Sequence, residues 1–266
     1  MELSPSVMGV VNVTPDSFFP GSRTFASEDA VARGLAHFAA GCDIVDVGGE
    51  STRPGATPVD ADEEIARVVP VIEALSVVGP VSIDTQKESV ARAAIDAGAS
   101  VLNDVSSSLV EVAGELGVGY VAMHRQGDSS VMQLNPTYGD VVGEIGAFLA
   151  AMVTRAQHAG VTQLWLDPGI GFGKTTEHNV ALLAHVSHFV TIAREHHAGV
   201  LIGTSRKRFL GDFAPIPLDV DERLEASIAT EAWVLLQGVS MVRVHDAAAA
   251  VQLRELLVRP VEEVIA

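Results

Sequence analysis

Cysteine is almost missing: Cys42 is alone among 266 residues. That excludes a disulfide within the chain and any multi-cysteine metal site, and it suits a reducing, cytoplasmic setting. Cations are scarce as well. Lys+Arg number 17 against 34 Asp+Glu, a formal charge of -17. Such a chain repels polyanions, so neither nucleic acid nor an anionic membrane surface is an expected partner. An anionic substrate would need a local cluster of cations, which works because salt screens the global repulsion beyond about 8 Å. No uncharged apolar run approaches the roughly 18 residues of a membrane span. The start, Met1-Glu2-Leu3-Ser4-Pro5, has no basic segment before an apolar one, so no signal peptide is expected. No Gly/Ser linker or low-complexity tract divides the chain. No G-x-S-x-G elbow opens a helix and H-E-x-x-H is absent.

What the chain has is apolar bulk, 48% of residues, enough for a large core. One unit recurs: a short apolar, β-rich run, a polar or glycine-rich turn, then a helical pattern. The runs are 7–13, 43–47, 81–84, 101–105, 120–124, 164–167, 200–204 and 241–245. Most are continuously apolar, as parallel strands buried on both faces are. Apolar residues at helical spacing follow in 28–40, 61–75, 87–97, 141–159, 179–188, 222–237 and 247–258; 108–116 is short and weakly helical. Eight such units predict a single (β/α)8 TIM-type barrel over residues 1–266. The alternative, a doubly wound open sheet, usually needs fewer strands and leaves a topological switch point.

Polar residues gather where the apolar runs end. Asn12 ends the first, Asp46 and Glu50-Ser51-Thr52-Arg53 follow the second, and Asp84 ends the third. Asn103-Asp104, His124 and Asp167 close the next three; Ser205-Arg206-Lys207 follows the seventh; Arg243, His245 and Asp246 mark the eighth. In a barrel these ends meet on one face, where active sites are built. Two chemistries are mixed there. Asp84, Asn103 and Asp167 are short hydrogen-bonding groups suited to a nitrogen heterocycle rich in N–H, or else Asp84 and Asp167 cap the helices that follow. Lys207, Arg206, Arg243, His245 and Arg53 are cationic and suggest a phosphorylated ligand; for Arg206 and Arg208 surface ion pairs are the competing reading. Most of the histidines fall in helical or loop stretches and read as surface residues, which argues against a transition-metal site. Mg2+ held mainly by substrate phosphates would need only one or two protein ligands.

Two turns are unusually rich in glycine. Gly48-Gly49-Glu50-Ser51-Thr52-Arg53-Pro54-Gly55 reads as a mobile or phosphate-contacting loop. Asp167-Pro168-Gly169-Ile170-Gly171-Phe172-Gly173-Lys174-Thr175 ends like a phosphate-binding P-loop. That motif needs glycine five residues before Gly173, where Pro168 stands, so an ATPase is rejected.

With these stretches in view the chain resembles the bacterial dihydropteroate synthases, folate-pathway enzymes with a pterin-binding barrel. The resemblance rests on Asn12-Val13-Thr14-Pro15-Asp16-Ser17-Phe18, Gly48 to Gly55, Ser82-Ile83-Asp84-Thr85, Asn103-Asp104-Val105-Ser106, Met123-His124, Asp167 to Thr175, Ser205-Arg206-Lys207 and Arg243-Val244-His245-Asp246. It implies condensation of 6-hydroxymethyl-7,8-dihydropterin pyrophosphate with p-aminobenzoate. It also implies that Asp84, Asn103, Asp167 and Lys207 bind the pterin, with Met123 and Phe172 packing near it. Asn12, Arg53, Arg243 and His245 would hold the pyrophosphate, with Mg2+ at Asn12. Phe18, Thr52, Arg53, Pro54 and Ser205 would form the p-aminobenzoate pocket. Arg243, His245, Lys207 and Asp84 would carry the catalysis, and the enzyme would be a cytoplasmic homodimer. Phe18-Phe19-Pro20-Gly21-Ser22 departs from the family's usual Ser-Asp-Gly-Gly after the phenylalanine. A folate-linked methyltransferase would need no pyrophosphate cluster, and a non-catalytic paralogue would be expected to lack some of these residues.

Overall fold

The computed structural model describes residues 4–13, 22–51, 58–128 and 131–258. Parallel strands close into the expected barrel, each hydrogen-bonded to the next in sequence and the last to the first. They are β1 (Ser6–Asn12), β2 (Ile44–Gly48), β3 (Val81–Asp84), β4 (Val101–Asp104), β5 (Gly119–Met123), β6 (Leu164–Asp167), β7 (Gly199–Ile202) and β8 (Met241–Val244). Around them lie α1 (Ser22–Ala40), α2 (Ala61–Ser76), α3 (Glu88–Asp96), α4 (Val110–Leu116), α5 (Val141–His158), α6 (Thr176–Ala184), α7 (Val186–Glu195), α8 (Leu224–Leu236) and α9 (Ala247–Val258).

Because side chains alternate along a strand, each strand feeds two cores. One set, including Val45, Val47, Ile83, Leu102, Tyr120, Leu166, Ile202 and Val242, packs against the helices. The other set fills the barrel: Met8, Ile44, Val101, Val121, Leu201 and Met241, with Trp165 against them. Two residues further along the same strands, on the same inward face, stand Asp46, Asn103, Met123, Asp167 and Arg243. Register finishes the placement: Asp84 is level with Asn103, and Met123 with Asp167.

Two expectations need correction. Residues 179–188 do not form one helix. His185 ends α6 and begins α7, which buries Val186, Phe189, Val190 and Ala193 on its way to β7. And His37 is not a surface residue: it is 7% exposed, and its Nε2 lies 3.0 Å from the Val10 carbonyl oxygen. The weak helix after β4 is indeed short, seven residues. Helix capping is done by residues other than the strand-end aspartates. Asp60 and Asp140 cap α2 and α5, Thr175 forms a capping box on α6, and Lys87 precedes α3 without a side-chain cap. Asp84 and Asp167 are therefore not helix caps.

Candidate active site

The strand ends converge on a single guanidinium. Arg243 donates from Nε to Asp46 Oδ2 at 2.6 Å and from Nη2 to Asp84 Oδ2 at 2.8 Å. Asn103 Nδ2 donates to the same Asp46 oxygen at 3.0 Å. Asp46 is fully buried and Asp84 nearly so. Among the described residues, Oδ1 of each has no hydrogen-bond partner. A buried acceptor without a donor is costly in a native core; at Asp84, which ends β3, the missing donor is one that a ligand's N–H group could supply. Burial pushes the Asp84 carboxyl up to about 7, against the pull of Arg243 and with the push of Asp46, Glu64 and Asp104. Burial opposes the charge on Arg243, but Asp46 and Asp84 outweigh it and hold its pKa above the usual value.

Across the barrel Asp167 accepts from the Gly169 N–H at 2.7 Å, fixing the turn that follows β6. Burial raises its pKa, opposed first by Lys207. Lys207 donates to the Ile170 carbonyl, and its ammonium lies 4.8 Å from the centre of the Phe172 ring. Burial lowers it to about 8, with Asp167 the main opposing charge. Ser205 Oγ accepts from the His245 N–H at 3.1 Å and lies 3.3 Å from His245 Nδ1, so the ends of β7 and β8 are tied together. Arg206 strengthens that tie with a two-pronged pair to Asp246, 2.8 and 2.6 Å, and a third bond to Asp221. The ion-pair reading of Arg206 is the correct one.

Glycine spacing in the β6 turn has a local cause. Gly169, Gly171 and Gly173 all have positive φ. A Cβ on Gly169 would stand 1.8 Å from the His124 carbonyl oxygen, and one on Gly173 2.4 Å from that of Gln126. The turn lies flush against the chain leaving β5, and only glycine fits. Lys174, which lent the turn its P-loop look, faces inward. It donates to the Phe172 carbonyl at 2.9 Å and the His124 carbonyl at 3.3 Å. Burial brings its amine down to about 7 and the His124 imidazole to about 3. His124 follows β5 and packs edge-on to Phe148 of α5, with its Nδ1 3.2 Å from Lys174 Nζ.

Asn12 is exposed at the end of β1. Its Oδ1 would stand 3.8 Å from a Cβ placed on Gly48, and the Asp84 Cβ would stand 3.5 Å from the same point. Phe18, Thr52, Arg53 and Pro54 lie outside the described residues. The frame of the 52–57 segment is described: Arg67 Nη1 donates to the Gly49 carbonyl at 2.8 Å, and Glu50 accepts from the Val59 N–H at 3.2 Å. Lys87 pairs with both Glu50 and the buried Glu64, and Glu64 also accepts from Thr85 Oγ1. The sequence places Asp46 at a strand end and Glu50 in the glycine-rich loop, but it points to neither the Asp46–Arg243 contact nor the Glu50–Lys87–Glu64 brace. Asp46 was visible as a polar strand end, whereas Lys87 and Glu64 sit in ordinary helical contexts. Among the described residues no group of three or more His, Cys, Asp or Glu side chains is placed to hold a metal ion.

A closed parallel barrel whose mouth sets paired carboxylates and an amide against Arg and Lys is built to bind a polar heterocycle carrying an anionic group. Comparison with known proteins agrees. Residues 8–245 match the pterin binding enzyme family, and the chain belongs to it. Within that family its relatives include dihydropteroate synthases. The one from Mycobacterium leprae is 45% identical over 267 residues, 94% of this chain and 92% of that protein. The Xanthomonas albilineans enzyme, solved with 4-aminobenzoic acid, superposes with a TM-score of 0.86 at 41% identity, over 98% of this chain and 93% of that one. The Thermus thermophilus enzyme in complex with 6HMPPP superposes with a TM-score of 0.79 at 39% identity, over 98% and 94%.

Proposed function

We infer that this chain catalyses the dihydropteroate synthase reaction. It joins the pterin methylene of 6-hydroxymethyl-7,8-dihydropterin pyrophosphate to the amine of p-aminobenzoate and releases pyrophosphate. The observation that carries this is the inward polar layer, where buried, under-bonded carboxylates face a fixed guanidinium and a buried ammonium.

We assign the pterin to Asp84, Asn103, Asp167 and Lys207, with Met123 and Phe172 against its faces. Carboxylates there accept from the heterocycle's N–H groups, and Lys207 supplies a donor. Asn12, Arg53, Arg243 and His245 hold the pyrophosphate, and Phe18, Thr52, Arg53, Pro54 and Ser205 form the p-aminobenzoate pocket. As the C–O bond breaks, positive charge builds on the methylene and negative charge on the departing pyrophosphate. Asp84 and Asp167 favour the first through the pterin ring, and Arg243 and His245 favour the second. The arylamine attacks as a neutral nucleophile, so no strong general base is needed. Arg243, His245, Lys207 and Asp84 are the groups on which catalysis depends.

Mg2+ suits Asn12. A neutral carboxamide oxygen is a hard donor, and since no group of three or more His, Cys, Asp or Glu among the described residues is placed to hold a metal ion, phosphate and water would supply much of the shell, as this ion prefers. When bound, it would neutralise charge on the leaving pyrophosphate. We further propose one domain over residues 1–266, in the cytoplasm. No helix among the described residues is long and apolar enough to cross a membrane. A homodimer is proposed through the barrel flank at α6 and α8, where Phe213, Ile216, Trp233 and Leu236 are exposed. Trp233→Glu should then convert dimer to monomer in sedimentation while leaving the circular dichroism unchanged; a wild-type monomer at micromolar concentration overturns that assignment.

The deciding experiment mixes the protein with the pterin pyrophosphate and Mg2+, with and without p-aminobenzoate. Pyrophosphate release that requires p-aminobenzoate, with dihydropteroate formed in equal amount, is expected. Pterin binding without release would identify a non-catalytic relative.

A further inference from the structure

Asp46 lies on β2 two residues before Gly48, which is level with Asp84, and is fully buried. One of its oxygens, Oδ2, takes both of its side-chain bonds, from Arg243 Nε and Asn103 Nδ2. The other has no partner among the described residues. Three points give this arrangement a purpose. First, Arg243 meets its two carboxylates through different nitrogens, Nε to Asp46 and Nη2 to Asp84. Asp84 can therefore turn to a ligand's N–H while Asp46 still holds the guanidinium in place. Second, an ionised carboxylate only accepts hydrogen bonds. The Asn103 amide must therefore present its nitrogen to Asp46, and its carbonyl oxygen is left for a donor on the ligand. Third, a guanidinium in a buried site needs at least one lasting counter-charge. If Asp84 is shared with the substrate, Asp46 is the carboxylate in contact with Arg243 that remains.

Resting on the synthase reading above, we propose that Asp46 is a positioning residue: it anchors Arg243 toward the pyrophosphate and orients the Asn103 amide toward the pterin, without itself touching either substrate.

The test is Asp46→Asn, which keeps the shape and removes the charge. Calorimetric affinity for the pterin pyrophosphate and the steady-state constants are both measured. Affinity should fall about ten-fold or more, the usual size of a lost charge-assisted bond. The KM for the pterin substrate should rise in step, while the KM for p-aminobenzoate and the thermal midpoint stay near wild type. Because Asp46 acts through Arg243, the losses from Asp46→Asn and Arg243→Ala should fall well short of multiplying in the double variant. Unchanged pterin affinity, or losses that multiply in full, overturns the proposal. So does an equal drop in every parameter together with the thermal midpoint, which would make Asp46 merely structural. If Asp46→Asn does not fold, Asp46→Ser, shorter and able to admit water, is read by the same criteria. If wild type binds the pterin pyrophosphate but forms no dihydropteroate, the functional reading fails while the affinity ratio still decides the role of Asp46. If wild type does not bind it, both fall.

Discussion

The lower and upper inward layers of the barrel sit two residues apart on the same strands: Ile44 and Asp46 on β2, Val101 and Asn103 on β4, Trp165 and Asp167 on β6, Met241 and Arg243 on β8. The lower layer is mostly apolar and depends mainly on shape, although the buried Ser82 hydroxyl, level with Val101, has no partner among the described residues. Val121 and Leu201 have no exposed surface and are held by contact alone. The upper layer is nearly as buried but chemically incomplete, with two carboxylate oxygens lacking donors among the described residues. It also shifts pKa values in both senses, Asp84 up to about 7 and Lys207 down to about 8. Stability and chemistry are thus separated by one strand repeat. Folding is driven by the lower layer and the outer core. Among the described residues the upper layer keeps hydrogen-bonding capacity that the fold itself does not use.

The largest effect should come from removing the hub of the upper layer. Arg243→Ala is expected to lower kcat/KM by about 10²–10³-fold, the scale seen when a donor to developing negative charge is lost. The fold should survive, because Asp84 can take up a proton once its counter-charge is gone. Steady-state kinetics beside a melting curve check this. Near-normal kinetics would break the division between layers. The mirror experiment is Leu201→Ala in the lower layer. A fully buried leucine cut to alanine should cost about 2–5 kcal/mol of stability in urea titrations, with pterin affinity in the surviving folded protein close to wild type. A large change in affinity at unchanged stability would show that the plug also shapes the site. A smaller effect is expected from Asp167→Asn, which keeps an acceptor for the Gly169 N–H but removes the charge facing Lys207. Pterin affinity should fall about ten-fold, and wild-type affinity would return Asp167 to a turn-forming role alone.

These layers differ in how far they can be read from sequence. Buried parallel strands appear as apolar runs, so all eight strands and the barrel they form were legible, and so were the polar groups at their ends. The split at His185 was not, because two short helices that share a junction carry nearly the same apolar spacing as one. Which strand-end groups meet was also hidden. Arg243 and Asp46 are 197 residues apart in the chain, and their contact exists only because β8 closes beside β1. Lys174 gives its turn a P-loop ending that the glycine spacing rules out, but nothing in the sequence shows that the left-handed glycines turn it into the protein. Sequence shows that a charged group stands at a strand end. It does not show which way a tight turn sends the side chain that follows.

The smallest and most selective effect is pH dependence, where the two roles of one carboxyl should move in opposite directions. An aspartate in the unfolded chain titrates near 3.9, whereas burial holds Asp84 near 7 in the folded protein. Between those values the folded state binds a proton that the unfolded state does not, so the Asp84 contribution to stability increases as pH falls from about 7 toward 4. Binding should do the reverse, because a protonated Asp84 is a poorer acceptor for the pterin N–H. Other buried groups titrate as well. Glu231, raised to about 8 by burial, acts in the same sense on stability, and His124, lowered to about 3, acts against it. The informative quantity is therefore the difference between wild type and Asp84→Asn, from urea titrations and calorimetric pterin binding at matched pH values. Wild type should gain stability relative to the variant as pH is lowered through this window while its advantage in pterin affinity shrinks. If both differences stay flat from pH 5 to 8, Arg243 keeps Asp84 ionised throughout, and the incompleteness of the upper layer lies in its missing donors rather than in its charge.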